Sequence, residues 1–310
     1  MGQQVLDDPG AVMKKLFLAG AAVIAMAAAT ASAADLPAKP VYKAAPPVVA
    51  PLPFSWTGFY VGGSAGYGWG RDGDVDLSAT GTPVVPIPGP GTLETTAANV
   101  AAIPTVLRIH PKGFFGGGQI GYNYQAYLFV FGIEADFSGA DIRGAQAGTG
   151  SAPIIGFFPP DVVTATASAS QKLDFLGTVR ARLGFTPIDR VLIYGTGGFA
   201  YGHVRSSTTV SEVETPPATV VTDTVANGSA SGMRAGWAAG GGLEWAFAPR
   251  WSIKAEYLYY DLGRLTYATS PIVGTSFGFS QAGTVFGTVN IVASTEFKGS
   301  IARAGVNFHF

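Results

Sequence analysis

The sequence predicts an all-β protein: a closed, eight-stranded antiparallel transmembrane β-barrel with short periplasmic turns and long extracellular loops. Three observations lead to this fold class. The chain combines 43 glycines and 12% aromatic residues with only 13% charged residues, well below the ~25% charged residues of typical soluble domains. Its amino-terminal region has the pattern of an export signal. Its last stretch, EFKGSIARAGVNFHF, alternates in polarity with the period of two of a β-strand.

The amino-terminal region predicts a secretory signal peptide over residues 1–33. Lys14 and Lys15 precede an apolar run from Leu16 to Ala29, and small residues follow that run. This order matches the basic, hydrophobic and cleavage regions of a signal peptide. The apolar run is shorter than the ~20 residues that a membrane-spanning helix needs. We therefore expect export and removal of this segment.

The residues around the predicted signal peptide form two further segments. Cleavage is predicted between Ala33 and Ala34, after an A-x-A pattern. Met13 stands directly before the basic region, so we interpret residues 1–12, which add acidic residues ahead of it, as a start-site artefact. Residues 34–53 are rich in proline and alanine, a composition typical of an extended, semi-rigid linker. We predict a periplasmic linker there.

From residue 54 to residue 310 the pattern changes to glycine- and aromatic-rich segments that alternate in polarity. Each segment reaches the ~9–11 residues that a tilted membrane strand needs. Very short connections alternate with long ones, as in outer-membrane barrels, and an even strand count places both termini on the periplasmic side. The predicted strands are Trp56–Gly70, Lys112–Gln125, Tyr127–Ala140, Lys172–Thr186, Arg190–Arg205, Gly232–Ala248, Trp251–Gly263 and Glu296–Phe310.

The two faces of these strands differ in chemistry. In the last strand, Val306 and Phe308 face one way, whereas Arg303 and Asn307 face the other. An Arg or Lys facing lipid would cost about 2–4 kcal/mol at the membrane midplane, so we predict that the charges point inward. A narrow barrel holds little water, and its buried charges must pair with one another. The predicted luminal charge network consists of Glu134, Asp136, Arg180, Arg182, Glu244, Lys254, Glu256 and Arg303.

Composition excludes several other classes. The chain has no cysteine, so it has neither a disulfide framework nor a thiolate metal site. A net charge of −1 argues against an electrostatic role with nucleic acid. No cluster of His or acidic residues has metal-ligand spacing. We predict no cofactor, no metal and no catalytic residue.

Four stretches resemble a known family: the signal ending ASA-ADLP, the opening strand WTGFYVGGSAGYGWG, the segment FVFGIEADF and the closing ARAGVNFHF. With these, the chain resembles the small outer-membrane immunogenic proteins of alpha-proteobacteria, OmpA-type barrels that carry a porin label. The resemblance implies that Phe308 and Phe310 form the signal read by the barrel-assembly machinery. It implies no catalytic residue.

Three functions follow as hypotheses. The first is a non-enzymatic structural barrel that supports envelope integrity and surface presentation in the outer membrane of a Gram-negative bacterium, surrounded by outer-membrane lipid and lipopolysaccharide. The second is a porin for small hydrophilic solutes. The third is a lipid-modifying enzyme, for which His203 and Ser206 are the candidate pair, although no carboxylate is predicted nearby to orient the ring. We predict instead that His110, His203 and His309 are rim residues exposed to water. Nothing in the long loops identifies a ligand.

Overall fold

The computed structural model describes residues 54–70, 73–83, 92–154, 161–215, 222–275 and 285–310. The predicted signal peptide, its cleavage site and most of the linker lie outside these ranges. The described residues form an antiparallel all-β fold. Its elements are β1 (Gly58–Gly70), β2 (Gly73–Pro83), α1 (Thr92–Ala102), β3 (Val106–Ile109), β4 (Lys112–Ala126), β5 (Phe129–Pro153), β6 (Val162–Ile188), β7 (Val191–Thr215), β8 (Thr222–Ala248), β9 (Trp251–Ala268), β10 (Ile272–Thr275) and β11 (Val285–His309).

Eight of the strands form a ring in the order β1, β4, β5, β6, β7, β8, β9 and β11. The ring is completed by β1, which pairs with β4 on one side and with β11 on the other. In the second pairing Tyr60 lies opposite His309, and Gly70 lies opposite Gly299. The predicted count of eight agrees with this ring. The three further strands β2, β3 and β10 bring the total in the described ranges to eleven.

Tight turns join neighbouring strands at one end of the ring, which we call the tight-turn end. They lie at Tyr127–Leu128, Asp189–Arg190 and Pro249–Arg250. Tyr127 has a φ of 56°, a left-handed conformation typical of two-residue hairpin turns. The prediction that a strand begins at Tyr127 was wrong, because this residue is in the turn and β5 begins at Phe129.

At the opposite end, the long-loop end, the strands extend well past their predicted limits. β5 continues to Pro153 and β11 begins at Val285, where the sequence had predicted Ala140 and Glu296 as the limits. In the β5 extension, residues 141–153, Gly, Ala, Ser and Thr predominate, so its polarity contrast is weaker than that of a lipid-facing strand. Water on the outer face removes the need for large apolar side chains there. The strand limits predicted from membrane-type patterning were therefore too narrow.

The helix α1 and the strands β2, β3 and β10 lie at the long-loop end. β2 pairs with β3 and with the first part of β11, and α1 packs against β2, β5, β6 and β11. Buried Ala98 and Ala102 of α1 join an apolar cluster with Leu107 and Ile109. No helix in the described part of the chain is long and apolar enough to cross a membrane.

The outer surface of the ring is apolar, as the alternation predicted. Phe131 is 51% exposed, Leu183 58% and Trp245 47%. In β11, Val306 faces outward and Arg303 is buried within the ring. Because side chains alternate between faces along each strand, every inward position of the ring contributes to one shared interior.

Candidate functional site

The inward faces of five strands bring eight charged side chains into one buried group, the luminal network. Each of these residues is at most 5% exposed. The group contains four acidic and four basic residues, so its formal charges balance. Its members are Glu134 and Asp136 on β5, Arg180 and Arg182 on β6, Glu244 on β8, Lys254 and Glu256 on β9, and Arg303 on β11.

Arg180 stands at the centre of the luminal network. Its Nη2 atom lies 2.7 Å from Glu134 Oε1 and 2.7 Å from Asp136 Oδ2. Its Nη1 atom donates to Glu256 Oε1, and its Nε donates to Thr178 Oγ1 at 2.8 Å. The planar guanidinium thus donates from all three of its nitrogen atoms, an arrangement that a lysine at this position would not provide.

Two other cations flank the same carboxylates. Arg303 Nη2 lies 3.2 Å from Asp136 Oδ2 and 3.1 Å from Glu256 Oε1. Lys254 Nζ lies 2.9 Å from Glu134 Oε2 and 3.4 Å from Glu256 Oε2. Each of these three carboxylates therefore contacts at least two cations, which offsets the large cost of removing them from water.

Arg182 extends the network toward the tight-turn end. Its Nη2 lies 2.8 Å from Glu244 Oε2, and its Nη1 donates to the Tyr60 hydroxyl at 2.7 Å. The guanidinium also stacks 3.8 Å above the centre of the Tyr194 ring, a cation–π arrangement. Tyr194 in turn donates to Glu256 Oε2 at 2.9 Å. Sequence reasoning missed both tyrosines because it searched for charges, although both occupy inward positions of their strands.

A group of hydrogen-bonded polar side chains lies at the tight-turn end of the interior. Glu244 Oε1 accepts hydrogen bonds from Ser252 Oγ at 2.5 Å and from Asn307 Nδ2 at 2.6 Å. His309 Nε2 lies 2.9 Å from the same serine oxygen. The prediction that His309 is exposed to water was wrong: it is 6% exposed, because it faces inward and packs edge-on against Trp56 at 5.7 Å.

An apolar layer lies beyond the network toward the long-loop end. Its side chains come from β3 to β6, β9 and β11, and they belong to the same buried cluster as α1. Sequence reasoning had assigned only charges to the interior and did not predict this layer. Among its members are Leu107, Ile109, Phe115, Ile142, Leu173, Leu176, Leu258, Leu262 and Ile301.

The candidate catalytic pair does not form. His203 faces outward and Ser206 faces inward, where its hydroxyl lies 2.9 Å from that of Tyr267. The expectation that no carboxylate lies near His203 was also wrong, since Asp174 Oδ2 on the neighbouring strand is 2.8 Å from His203 Nδ1. Within the described ranges, no group of three His, Cys, Asp or Glu residues has metal-site geometry.

A ring of antiparallel strands with an apolar exterior and a charged, buried interior defines the class of outer-membrane β-barrel proteins. The chain belongs to the family described as outer membrane protein beta-barrel domain, whose model matches residues 17–310. This finding confirms the predicted family and the predicted location in the outer membrane.

Two sequence relatives agree with this assignment. The chain is 33% identical over 287 residues to the 31 kDa outer-membrane immunogenic protein of Brucella melitensis biotype 1, covering 92% of this chain and 100% of the relative. It is 26% identical to the 25 kDa outer-membrane immunogenic protein of Brucella abortus biovar 1, covering 82% and 87%. Among solved structures, Neisserial surface protein A matches with 12% identity and a TM-score of 0.28, covering 82% of this chain and 98% of that one.

Proposed function

We propose that this protein is a non-enzymatic structural barrel, closed around a filled interior, that supports envelope integrity and presents a surface extension. The observation that carries the proposal is the luminal network around Arg180, whose side chain is 0% exposed and contacts three carboxylates. Opening a path at this level would separate buried ion pairs. Breaking one such pair costs about 3–5 kcal/mol.

A second barrier to solute passage supports the same proposal. A hydrophilic solute that passed the network would next meet the apolar layer of Ile142, Leu176 and Ile301, each 0–1% exposed. Transfer of a polar group into such surroundings costs several kcal/mol when no hydrogen bond replaces those to water. Two successive barriers of opposite chemistry favour a non-conducting barrel over a porin.

Surface presentation is supported by the strand extensions. Short turns lie on the periplasmic side of such barrels and long connections lie outside the cell, so the long-loop end faces the exterior. From Arg143, the last outward charge on β5, that strand continues to Pro153, or about 33 Å of extended chain. The relatives are named immunogenic proteins, as surface-exposed antigens are.

Single-channel recording tests the structural role against the porin. We expect the purified full chain to insert into planar bilayers without steady current steps, whereas a general porin added under the same conditions gives them. Reproducible steps of uniform size from the wild-type chain would establish the porin alternative instead.

The enzymatic alternative has less support, because His203 and Ser206 lie on opposite faces of β7. We expect the lipid A of cells that express His203→Ala to match that of wild-type cells in acyl-chain number and headgroup. A difference between the two mass spectra would contradict a non-enzymatic role.

A further inference from the structure

The outer wall of the ring carries a row of basic side chains that the interior does not explain. Lys112 lies opposite Arg143, Arg143 opposite Lys172, and Lys172 opposite Arg205, on the four consecutive strands β4 to β7. All four face outward; the Arg143 side chain is 70% exposed and that of Arg205 61%. Like charges directly opposite one another destabilise a sheet. We call these four residues the basic row.

Two carboxylates neutralise only part of the basic row. Asp141 Oδ2 lies 3.1 Å from Arg143 Nη2, and Asp174 Oδ2 lies 2.7 Å from Arg205 Nε. Both acids lie where the strand register shifts: Asp141 between Gly139 and Ile142, and Asp174 between Leu173 and Phe175. The bulges at these two positions turn the carboxylates outward. Four bases against two acids leave an excess of positive charge.

The basic row marks the upper edge of the lipid-facing surface. The ring of Phe175 stacks on that of His203 at 6.2 Å and contacts Phe137 at 5.1 Å, so outward aromatics lie directly beneath the charges. In outer-membrane barrels, girdles of aromatic residues flank the apolar band at both membrane interfaces. The row is therefore level with the headgroups of the leaflet on the long-loop side.

Below the basic row, the outer wall is indented. Small residues lie opposite one another on five neighbouring strands and form the floor of a groove of about 1410 Å³. The upper end of the groove is bordered by Asp141 and Asp174, beside the basic row. The floor consists of Gly139, Gly116, Ala65, Ala304 and Ala255.

The packing of the ring does not require the outward glycines. A Cβ at Gly116 would have its nearest contact at 3.5 Å, and a Cβ at Gly139 at 3.9 Å, both ordinary van der Waals distances. The inward glycines differ, since a Cβ at Gly66 would collide with the Ala302 carbonyl and one at Gly117 with that of Phe137. The groove is therefore a property of the outer surface and not a by-product of close backbone packing.

The groove also slopes from the long-loop end toward the tight-turn end, as the acyl chain of a lipid in that leaflet would. Gly139 lies ten residues beyond Phe129, where β5 begins, whereas Ala255 lies four residues beyond Trp251, where β9 begins. The groove thus descends by six residues of strand, about 20 Å along the chain direction. It runs from the headgroup level toward the middle of the membrane.

We propose that this wall binds one phosphorylated lipid of the outer leaflet, with its anionic headgroup on the basic row and an acyl chain in the groove. The inference rests on the orientation in the proposed function, in which the long-loop end faces the outer leaflet. It does not depend on whether the lumen conducts, so bilayer recordings and lipid binding test separate statements.

The test compares two lipids on the purified full chain in zwitterionic detergent: diphosphoryl lipid A and the same lipid without phosphates. The variant Arg143→Gln/Lys172→Gln/Arg205→Gln should bind diphosphoryl lipid A roughly 100-fold more weakly, because it lacks three basic residues that each contribute to affinity for an anionic surface. Its binding of the dephosphorylated lipid should not change. The variant Ala65→Leu, which fills the groove, should weaken the binding of both lipids.

A matched control lies across the ring. Arg264→Gln/Lys298→Gln removes outward charges from β9 and β11, at the same rim but on the side of the ring opposite the basic row, and should leave both affinities unchanged. Heat-dependent gel mobility verifies that each variant is folded. Equal binding of diphosphoryl lipid A by the wild-type chain and the triple variant would overturn the proposal. The proposal would also be overturned if inorganic phosphate displaced diphosphoryl lipid A completely and Ala65→Leu did not change lipid binding, because the row would then bind free anions only.

Discussion

Tyr60 on β1 donates its hydroxyl hydrogen to Glu134 Oε2 on β5 at 2.8 Å, across 74 residues of sequence. The two strands are not neighbours in the ring, since β4 lies between them. The same hydroxyl accepts a hydrogen bond from Arg182 Nη1 on β6. The interior thus links strands that the backbone pairing leaves apart, and this linkage has measurable consequences.

Removal of the Tyr60 hydroxyl should destabilise the protein. We expect Tyr60→Phe to lower the free energy of unfolding by about 1–3 kcal/mol, because two buried charged groups lose a hydrogen-bond partner. Urea unfolding in phospholipid vesicles measures the change. The control is Tyr124→Phe, whose side chain is 58% exposed on the outer wall and should shift stability by less than about 0.5 kcal/mol. Equal losses in the two variants would contradict a role for the internal hydroxyl.

Truncation of Arg180 should have a larger effect. We expect Arg180→Ala to lower the free energy of unfolding by about 3–5 kcal/mol, because three buried carboxylates lose a partner. The matched control is Arg264→Ala, which breaks an ion pair with Glu296 in which the arginine side chain is 60% exposed and which should cost less than about 1 kcal/mol. A neutral result for Arg180→Ala in the same urea titration would refute the paired interior.

A third prediction concerns pH and the part of β7 that extends at the long-loop end. Burial raises the pKa of Glu212 from 4.5 to about 7; the residue is 3% exposed and, within the described ranges, neither carboxylate oxygen has a hydrogen-bond partner. Glu214, two residues further, faces the same way. Because the folded-state pKa exceeds the unfolded value, Glu212 does not destabilise the folded state below about pH 4.5, destabilises it increasingly as the pH rises to about 7, and has a constant effect above that.

Hydrogen exchange of the β7 extension measures this dependence. We expect protection, corrected for intrinsic exchange rates, to decrease between about pH 5 and about pH 8 in the wild-type chain. The variant Glu212→Gln should be protected equally at both pH values, since position 212 then has no group that titrates. The same decrease in both proteins would assign the effect to another residue.

The last residue provides the fourth prediction. Phe310 is 72% exposed, and its ring packs edge-on against that of Phe308, with 5.2 Å between the two ring centres. We expect deletion of Phe310 to reduce the folded fraction in cell envelopes, while refolding of the purified chain into detergent is unaffected. The conservative variant Phe310→Tyr should assemble normally. Normal assembly of the deletion would show that the terminal aromatic residue is not a signal.

The transmembrane part of the fold was predictable from sequence because lipid enforces a strict contrast between faces. Outward Phe131 and Trp245 alternate with inward Glu134 and Glu244, and this contrast gave the faces of the strands and the position of each charge. The extensions were under-predicted for the opposite reason. Water on their outer face tolerates Ser and Thr, so the alternation that marks a strand becomes faint.

The interior was only partly predictable. Charges on inward positions are conspicuous, and the structure places all eight predicted side chains in one group. The contributions of Tyr60 and Tyr194 depend on which strands face each other across the ring. Strand periodicity predicts which side chains point inward, but it does not predict which of them meet. The apolar layer was missed for two reasons. Ile142 and α1 lie in segments that had been assigned to loops, whereas Leu176 and Ile301 lie at inward positions of predicted strands, where only charges had been sought.

Arg303 has a consequence for the order of assembly. It is supplied by β11, yet it contacts Asp136 on β5 and Glu256 on β9. Until the final strand joins the ring, these acids lack one of their cations, and their exposure to hydrocarbon would be costly. Insertion one hairpin at a time is therefore unfavourable. The pairing of Arg303 therefore favours concerted entry into the bilayer, with the first and last strands already close to each other.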